Sequence, residues 1–450
     1  MKIIVLGVGK VGATLTESLV KEGYEVIVID YNEQVVTDVV NRYNVKGIVG
    51  GGLERETLIE AGISEANYFI SCTSKDETNI LCCVLAKKLG AKNTIARVRD
   101  PQYFDEMNSI RQELGIDFAF NPERRAAKDI AQILKFPSAK SVENFARGRA
   151  NLVELEVLEG NPIIGKSLKE LSSLFSFKIL FGMIKRDEKY FIPNGDFVIE
   201  LGDIVYIIAK ESDIADFCKK LKIYKRTTKS AFIIGGGKIA YYLAKELISL
   251  GISVKILEKD KERCLQLSEL LPNVMVLCGD GTDQSVLDEE GIADSDACIT
   301  LTGIDEENVI ISLYASQKQV NKVVTKIDRG SVANMVKILG IDSVISPKDS
   351  IANHILQFIR AHKAQTGSGV NTLYKLHDKV EALEFIVDEN FKEKNIPIKN
   401  LKLKKGILIG GIVRGNQYIL PSGDSELMPN DSVIIVTAVR QIDELADIFR

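Results

Sequence analysis

The second half of this 450-residue chain repeats its first half. Gly235 stands 228 positions after Gly7 (235 − 7), and Glu258 stands at the same offset from Asp30. Later matches keep this register to within one residue, and they pair Asp76-Glu77-Thr78-Asn79 with Asp305-Glu306-Glu307-Asn308, and Ile192-Pro193-Asn194-Gly195-Asp196 with Leu420-Pro421-Ser422-Gly423-Asp424. Chance matches would not hold one register over so many positions. We infer a tandem duplication, so whatever the first half folds into, the second half folds into again.

Each half opens with short apolar runs that alternate with amphipathic helical stretches. In residues 1–120 the helical stretches include Lys10–Glu22 and Thr78–Leu89, and the apolar runs are Ile3–Leu6, Val26–Ile29, Gly47–Val49, Tyr68–Ser71 and Thr94–Val98. Such alternation is typical of β-α-β units around a parallel sheet with helices on both faces. The sequence therefore predicts α/β architecture with two Rossmann-like, doubly wound lobes.

Each lobe is followed by a helix and then by a segment of different character. The helices Glu123–Leu134 and Lys348–His362 follow Pro122 and Pro347 and are apolar on one face. We expect them to cross over and bury that face against a neighbouring lobe, with burial on their own lobe as the alternative. Residues 151–220 and 380–450 alternate as strands do, with turns at Pro-Asn-Gly-Asp and Pro-Ser-Gly-Asp, which predicts two small α+β domains.

The helices expected to end the small domains are Ser212–Leu221 and Gln441–Phe449. A linker is expected at Thr366-Gly-Ser-Gly-Val, because its residues are small and flexible, and the seam between the halves is expected at 224–229. The expected boundaries are 1–121 for lobe one, 122–140 for its crossover helix, 141–223 for the first small domain, 229–346 for lobe two, 347–366 for the second crossover helix and linker, and 371–450 for the second small domain.

Composition excludes some classes of function. Lys and Arg total 58 against 62 Asp and Glu, a net charge of −4, so bulk charge gives no support for nucleic-acid binding. The seven cysteines are scattered without a Cys-x-x-Cys pair, which is typical of reduced core thiols in a cytoplasmic protein. From the sequence we expect neither a signal peptide nor a membrane-spanning segment.

The loop Gly7-Val8-Gly9-Lys10-Val11-Gly12 carries the chemistry of lobe one. In a strand-turn-helix unit the first glycine makes the tight turn, the second lets a pyrophosphate approach, and the third lets helix and strand pack closely. The helix start then offers free N–H groups and a positive dipole end to phosphates. Asp30 follows at the distance where a carboxylate reaches ribose hydroxyls, which favours NAD or an adenine nucleotide over NADP.

Lobe two repeats this loop as Gly235-Gly236-Gly237-Lys238-Ile239-Ala240, with Glu258 as its ribose acid. Its third strand ends in the polar turn Gly279-Asp280-Gly281-Thr282-Asp283, where an adenine edge would lie, whereas lobe one has Gly51-Gly52-Leu53-Glu54. Lobe one has no counterpart of the Asp280 carboxylate at this turn, so its side chains would recognise adenine less well. We therefore expect the two lobes to differ in ligand or affinity.

Four cations lie near the expected phosphate sites. Arg97 and Lys326 follow the fifth strand of each lobe, at the carboxyl edge where open α/β sheets bind ligands, and we expect a phosphate or ribose contact rather than a surface ion pair. Lys10 and Lys238 could each neutralise a phosphate, including one on a neighbouring subunit, or could be solvated first-turn lysines.

The sequence predicts neither a catalytic residue nor a metal site. His354, His362 and His377 match no ligand or triad pattern and are interpreted as packing or solvated side chains. Asp76, Glu77, Asp305 and Glu306 are interpreted as acids at helix N-termini, with a divalent-cation site as the less favoured alternative.

The features that carry a family resemblance are Gly7–Gly12 with Asp30, the Asp76-Glu77-x-x-Asn79 stretch, Ala96-Arg97, and their duplicates including Gly279–Thr282. On these, the whole chain resembles the TrkA family, the peripheral subunits of Trk potassium-uptake systems, with the plan RCK-N, RCK-C, RCK-N, RCK-C (RCK, regulator of potassium conductance). The departures from the family pattern are Gly52 for the usual Asp and Lys326 for the commoner Arg.

The resemblance implies a cytosolic homo-oligomer, a dimer or a tetrameric ring, on the inner face of the membrane. Its partner would be a membrane potassium-transporter subunit of the TrkH or TrkG type, gated through binding of NAD(H), ATP or ADP. The implied nucleotide contacts are Gly7–Val11, Asp30, Thr73, Ser74 and Arg97 in lobe one, and Gly235–Ile239, Glu258, Leu301, Thr302 and Lys326 in lobe two.

Two other functions remain open at this stage. An NAD-dependent oxidoreductase would carry the same glycine loops, although two loops in tandem without a catalytic His or Lys argue against it. A soluble redox or nucleotide sensor with another partner is the third hypothesis.

Overall fold

A computed structural model describes the chain except residues 175–177, 188, 224–225, 331, 333–335, 337–338, 340, 342, 364–369, 378–379, 440–441 and 450. The chain divides into two compact units. Unit 1 contains Met1–Lys128 and Ile345–Leu356, and unit 2 contains Asp129–Val344 and Gln357–Arg450. The expected linker at 366–370 falls almost wholly outside the described residues, as does the start of the expected seam at 224–225.

The strands, in chain order, are β1 (Lys2–Leu6), β2 (Glu25–Asp30), β3 (Lys46–Val49), β4 (Tyr68–Ser71), β5 (Asn93–Arg97), β6 (Phe118–Phe120), β7 (Ser141–Phe145), β8 (Ala150–Glu156), β9 (Leu180–Arg186), β10 (Lys189–Phe191), β11 (Ile204–Ala209), β12 (Ser230–Ile234), β13 (Ser253–Glu258), β14 (Met275–Cys278), β15 (Ala297–Thr300), β16 (Lys322–Lys326), β17 (Ser343–Ile345), β18 (Val370–His377), β19 (Val380–Ile386), β20 (Ile407–Arg414), β21 (Gln417–Ile419) and β22 (Ser432–Thr437).

The α-helices are α1 (Lys10–Lys21), α2 (Glu33–Tyr43), α3 (Arg55–Glu60), α4 (Asp76–Lys88), α5 (Pro101–Ile110), α6 (Pro122–Lys135), α7 (Leu168–Leu174), α8 (Glu211–Lys220), α9 (Lys238–Ser249), α10 (Lys261–Leu270), α11 (Gln284–Glu289), α12 (Asp305–Gln317) and α13 (Pro347–Lys363).

Lobe one is built on a six-stranded sheet in the order β3-β2-β1-β4-β5-β6, and every adjacent pair is parallel. The strand order reverses between β1 and β4, so their carboxyl ends splay apart and open a crevice there. Strands β1 and β4 are buried almost throughout, which is why the sequence shows continuous apolar runs rather than alternation. Lobe two repeats the order as β14-β13-β12-β15-β16-β17. The predicted doubly wound fold is confirmed.

Each small domain is a five-stranded antiparallel sheet, with the orders β10-β9-β11-β8-β7 and β18-β19-β22-β20-β21. Within unit 2 the two sheets share one core, in which Met183 and Ile208 pack with Ile434 and Val436. The hydroxyl of Tyr418 donates to the Ile208 carbonyl oxygen at 3.2 Å. Burial of such apolar side chains contributes about 1.5–3 kcal/mol each, so the shared core ties the two halves of the chain together.

The two helices that follow the lobes leave their own lobes, as expected. Ile345–Leu356, which contains the start of α13, belongs to the unit of lobe one, where the His354 ring lies edge-on to Phe118 with centroids 5.4 Å apart. The second half of α6 belongs to the unit of lobe two, where the Leu134 carbonyl accepts a hydrogen bond from the Thr228 hydroxyl at 3.0 Å. The expected crossover is therefore confirmed.

The end of the chain differs from the sequence prediction. A helix over Gln441–Phe449 was expected, but the described part forms only a 3-10 turn at Leu445–Ile448. Phe449 then forms an antiparallel bridge with Leu403, and the Lys404 N–H donates to the Ile448 carbonyl. These contacts draw the backbone into the small domain and prevent another helical turn. By contrast, α8 ends the first small domain close to the expected bounds.

None of the described helices combines the length and the apolar character needed to cross a membrane.

Candidate functional site

The turn between β1 and α1 is shaped by glycine. Gly7 has φ +82°, and a Cβ there would lie 2.8 Å from the Thr73 nitrogen. A Cβ on Gly12 would lie 2.0 Å from the Gly7 carbonyl oxygen, so the third glycine allows the helix to pack on the turn. Gly9 is the N-cap of α1, and a Cβ there would meet no atom within 4 Å. Space is therefore open in front of the helix start, where an anion would approach.

Asp30 ends β2 and fastens this turn. Its Oδ2 accepts the Val8 N–H at 2.9 Å and its Oδ1 accepts the Asn32 N–H at 3.0 Å. Asp30 is only 9% exposed, so these two bonds fix the direction of its side chain. Each carboxylate oxygen retains a second lone pair with which it could accept a ribose hydroxyl.

Asn79 organises the loop that follows β4. Its Oδ1 accepts hydrogen bonds from the N–H and hydroxyl of Thr73 at 2.8 and 2.7 Å. Its Nδ2 donates to the carbonyls of Thr73 and Arg97 at 3.2 and 3.0 Å. One buried amide thus links the carboxyl ends of β4 and β5, which explains why an asparagine stands at this place in the repeated motif.

Arg97 lies at the end of β5, close to the crossover helix. Its Nη2 is 3.5 Å from Oε1 of Glu123, in the first turn of α6, and its side chain is 14% exposed. Arg97 Nε and Glu123 Oε2 are both buried and have no hydrogen-bond partner among the residues that the structure describes. A buried guanidinium nitrogen without a partner is costly, and a bound phosphate is a suitable acceptor for this side chain.

These residues meet around a cavity of about 640 Å³ at the carboxyl edge of the lobe-one sheet. Of the predicted contacts, those that line it are Gly7, Gly9, Asp30, Thr73, Ser74 and Arg97. Val8, Lys10, Val11 and Gly12 do not; Val8 and Gly12 are buried, whereas Lys10 is exposed. The cavity has the size of a small-ligand site, and its open N-cap, carboxylate and arginine fit the phosphates and ribose of a dinucleotide.

The cavity wall contains several residues that the sequence prediction did not name as contacts, and of these Gly51 and Leu53 belong to the predicted third-strand turn. Tyr31 and Leu53 are 84% and 53% exposed, and both line the cavity, together with Asn32, Gly50, Gly51, Lys75 and Thr78. Large apolar side chains so exposed at the mouth of a polar cavity are suited to covering a nucleobase. The position of Tyr31, directly after the ribose acid, is a signal that could have identified it.

The corresponding turn of lobe two has the same backbone but different side-chain contacts. Gly235 has φ +100°, and a Cβ on Gly237 would meet no atom within 4 Å. Glu258 Oε2 accepts the Gly236 N–H at 2.6 Å, while its Oε1 accepts the Asp260 N–H at 2.9 Å. Like Asp30, the Glu258 carboxylate therefore closes onto the phosphate turn.

Arg263 is a further residue of this site that the sequence prediction missed. It lies in the first turn of α10, and its Nε donates to the Gly236 carbonyl at 2.8 Å. A cation in direct contact with the phosphate turn is well placed to meet a nucleotide. Lobe one has Val35 at the corresponding position, so a comparison of the duplicated sequences could have singled this residue out.

The remaining predicted contacts of lobe two are only partly accessible. Asn308 repeats the role of Asn79, because its amide accepts the Thr302 N–H at 2.8 Å and donates to the Lys326 carbonyl at 3.1 Å. Lys326 Nζ donates to the Thr302 carbonyl and to Asp328 at 3.3 and 3.2 Å. Leu301 is 7% exposed, so only its backbone, which lies against Gly235, is near the turn.

The structure corrects the alignment of the two third-strand turns. The N–H groups of Gly279 and Gly50 make the same hydrogen bond to the ribose-acid carbonyls, so the residue equivalent to Asp280 is Gly51 and not Gly52. Gly52 is equivalent to Gly281, since a Cβ on either would collide with the β1 or β12 side chain below it. Asp280 Oδ1 accepts the N–H and hydroxyl of Thr282, which keeps the pKa of Asp280 below its ordinary value.

The acids at the starts of α4 and α12 brace the neighbouring loop. Asp76 Oδ2 accepts the N–H groups of Arg99 and Asp100, both at 2.8 Å. The carboxylate of Asp305 does the same for Asp328 and Arg329, both at 2.9 Å. Within the described residues, no group of three or more His, Cys, Asp or Glu is arranged to hold a metal ion.

Lys10 and Lys238 are both exposed in the first turns of α1 and α9, a position compatible with either predicted role. Of the histidines, His354 packs on Phe118 and exposed His362 stacks on Phe358 with centroids 4.1 Å apart. The His377 side chain lies outside the described residues.

Comparison with known proteins agrees with this architecture. The TrkA-N domain family matches residues 3–122 and 231–347, and the TrkA-C domain family matches residues 152–222 and 383–450. Among relatives, the chain is 31% identical over 461 residues to "Trk system potassium uptake protein TrkA homolog 1" of Methanosarcina mazei, with all of both chains covered. It is also 31% identical over 450 residues to the "Trk system potassium uptake protein TrkA homolog" of Archaeoglobus fulgidus, again with complete coverage.

The fold resembles that of a solved structure described as "GsuK channel bound to NAD". The TM-score is 0.62 at 18% identity, over 97% of this chain and 76% of the other. Two TrkA-N matches and two TrkA-C matches alternate along the sequence, as the duplication requires. The chain therefore belongs to the TrkA family.

Proposed function

We propose that this protein is the nucleotide-sensing regulatory subunit of a potassium-uptake system. It binds NAD(H), ATP or ADP and thereby gates potassium flux through a membrane transporter subunit of the TrkH or TrkG type, on the inner face of the membrane. The observation that carries the proposal is the lobe-one cavity, where an open helix N-cap, a ribose-type carboxylate and a partly buried arginine converge. The names of the full-length relatives supply the transport context.

In lobe one the wall of the cavity suggests how an adenine nucleotide would lie. Phosphates would approach the N-terminus of α1 at Gly9, where the helix dipole and free N–H groups attract anions. Asp30 would accept the ribose hydroxyls, and Tyr31 and Leu53 would cover the base. The shared adenosine moiety of NAD, ATP and ADP can satisfy all of these contacts.

Lobe two would bind a nucleotide with different contacts. Glu258 replaces Asp30, Arg263 adds a cation at the phosphate turn, and the places of Tyr31 and Leu53 are taken by Lys259 and Thr282. An exposed base is held less well by these polar side chains than by Tyr31. We therefore propose that the lobes differ in affinity, with lobe two relying more on phosphate contacts.

The ion pair of Arg97 and Glu123 offers a route from ligand to conformational change. A phosphate that binds Arg97 competes with Glu123, which lies in the first turn of the crossover helix α6. Release of Glu123 would favour a different setting of α6, and a ligand shifts an equilibrium only through such differential contacts. Lobe two has Lys348 in the place of Glu123, so this route belongs to lobe one.

A binding role without catalysis fits the cavity better than hydride transfer to a substrate. Its titratable side chains are Asp30, Tyr31, Cys72, Lys75 and Arg97. Burial raises the pKa of the Cys72 thiol to about 12. The thiol therefore stays protonated and is a poor nucleophile. A test for substrate-dependent reduction of NAD across hydroxy acids and aldehydes should show no turnover; reproducible turnover would favour an oxidoreductase instead.

Calorimetric titration with NADH, NAD, ATP and ADP tests the proposal. We expect Asp30→Ala to remove lobe-one binding and Glu258→Ala to remove lobe-two binding, while the exposed-acid controls Asp38→Ala and Glu269→Ala bind as the wild type. Potassium flux into vesicles that contain the membrane partner should respond to the nucleotide and lose part of that response in Asp30→Ala. If neither acid matters for any nucleotide, the proposal fails.

The assembly of copies into a dimer or tetrameric ring is part of the same proposal. Light scattering after size-exclusion chromatography measures the mass directly, and a monomer at all concentrations would contradict it.

A further inference from the structure

Two cysteines come together at the carboxyl ends of β13 and β14, beside the ribose acid of lobe two. Cys264 lies in the first turn of α10, and its thiol contacts the carbonyl oxygens of Glu258 and Leu277 at 3.3 and 3.8 Å. Strand pairing places Cys278, the residue after Leu277, directly opposite Glu258. Burial raises the pKa of Cys264 to about 11, and a hydrogen bond with the Cys278 thiol adds to this rise.

The pair differs from the other cysteines of the chain. Cys278 is exposed, whereas the other six are buried, and Cys264 is 8% exposed. Core thiols are predicted from the sequence at all seven positions; Cys264 is buried as predicted, but for the exposed Cys278 the prediction is wrong. An exposed thiol can be reached by an oxidant. A second thiol beside it can then react with the oxidised sulfur to form a disulfide.

Lobe one shows that packing does not require cysteine here. Asp30 is paired with Val49 as Glu258 is with Cys278, and Val36 stands four residues after the N-cap of α2 as Cys264 does in α10. Two valines therefore fill these places in the duplicate. The cysteine pair is a feature of lobe two alone.

The first turn of α10 is also tied to the phosphate turn. Arg263, the neighbour of Cys264, donates to the Gly236 carbonyl at 2.8 Å, and Asp260 at the N-cap donates its N–H to Glu258. A covalent bond between this helical turn and the end of β14 would restrict the movement of Arg263 and Asp260, which contact the phosphate turn and Glu258.

We propose that Cys264 and Cys278 are a redox modification site, which peroxide converts to a disulfide that weakens nucleotide binding by lobe two. In the first step the Cys278 thiolate attacks the O–O bond of a peroxide, giving a sulfenic acid and releasing one water after protonation. The Cys264 thiol then attacks that sulfur and passes its proton to the departing hydroxide, so that the disulfide and a second water form. Two thiols are oxidised, one peroxide is reduced, and no other reactant is needed.

The effect on binding rests on the proposed function, because it assumes that lobe two takes a nucleotide. To accept a hydrogen bond from Arg263 Nε, a nucleotide phosphate must displace the Gly236 carbonyl oxygen that this nitrogen now contacts. The disulfide would hold the first turn of α10 in its present place and so favour the contact between Arg263 and the Gly236 carbonyl. Weaker affinity in the oxidised form is the expected result.

The test treats the full chain with hydrogen peroxide and maps disulfides by mass spectrometry after chymotrypsin digestion without reductant. The matched variant is Cys264→Val/Cys278→Val, which installs the residues of lobe one. Calorimetry with ADP is performed in an Asp30→Ala background, which is expected to lack lobe-one binding, so that the signal reports on lobe two. We expect a Cys264–Cys278 disulfide, an affinity lowered about fivefold, recovery with dithiothreitol, and no response of the double variant to peroxide.

Three results would count against this inference. Oxidation of other cysteines without a Cys264–Cys278 bond overturns the modification site, and a disulfide that leaves ADP affinity unchanged overturns its effect. If reduced lobe two binds neither ADP nor any other nucleotide, the proposed function of that lobe fails and the effect on affinity fails with it. The mass measurement still decides whether the disulfide forms.

Discussion

Replacement of Gly9 by alanine should separate binding from folding. Gly9 has φ −64° and ψ −163°, which any residue adopts, and a Cβ there would meet no protein atom within 4 Å. Alanine is a poorer N-cap than glycine by about 0.5 kcal/mol. Alanine also reduces the conformational freedom of the unfolded chain, which stabilises the folded protein by about 0.4–1 kcal/mol. The free energy of unfolding should therefore change by less than about 0.5 kcal/mol.

Nucleotide affinity should respond quite differently to the same methyl group. It would occupy the open space in front of α1, through which a phosphate reaches the free N–H groups of the helix. Loss of one such charge-assisted hydrogen bond costs about 1.5–3 kcal/mol. We therefore expect the dissociation constant of lobe one to rise by about tenfold to 100-fold.

Calorimetry and thermal unfolding on the same preparation check both numbers. Gly195→Ala is a matched control, because Gly195 lies in the first small domain and a Cβ there would make only an ordinary contact, 3.7 Å from the Lys169 Cβ. Gly237→Ala should reproduce the effect in lobe two. Unchanged affinity in Gly9→Ala, or a loss of affinity that merely follows a large fall in melting temperature, would refute the reasoning.

Other substitutions probe the fold around the sites. Gly12→Ala should destabilise unit 1 by about 2 kcal/mol, because the new Cβ would lie 2.0 Å from the Gly7 carbonyl oxygen; urea unfolding measures this, and wild-type stability would contradict it. His354 has its pKa lowered from 6.5 to about 4 by burial and then by nearby cations. Since the folded pKa lies below the unfolded one, stability should be full above pH 6.5 and fall by about 2 kcal/mol as the pH drops from 6.5 towards 4. In His354→Leu this pH dependence should be smaller, and an unaltered acid profile would exclude His354 as its source. Arg360→Ala should cost about 3 kcal/mol, because it leaves the mostly buried Glu381 carboxylate without the guanidinium 2.9 Å away; if Arg360→Ala/Glu381→Ala is no more stable than the single variant, the pair is not the cause.

The parts of the molecule that the sequence predicted well depend on local patterns. The strand Ile3–Leu6 and the helix from Lys10 were placed within a residue or two, because a buried parallel strand needs a continuous apolar run and the turn after it needs glycine. The duplication then carried the prediction into lobe two. Ribose acids were placed for the same reason, since Asp30 and Glu258 end strands whose position the pattern fixes.

Contacts between distant segments could not be predicted in this way. Hydrophobic periodicity shows that one face of α6 or the second small-domain sheet is apolar, but it does not show which surface will cover that face. The face-to-face packing of the small-domain sheets and the exact matching of Gly51 with Asp280 therefore became visible only in three dimensions.

The functional site also has a part that the sequence predicts and a part that only the tertiary structure shows. By itself the sequence determined the two phosphate turns and their acids, because each is built from residues close together in one strand-turn-helix unit. Tertiary structure alone decided that Tyr31 and Leu53 share a cavity, that Arg97 meets Glu123, and that Cys264 lies against Cys278. These neighbours are brought together by parallel strand pairing and helix packing, which place the ends of separate elements at one edge of a sheet.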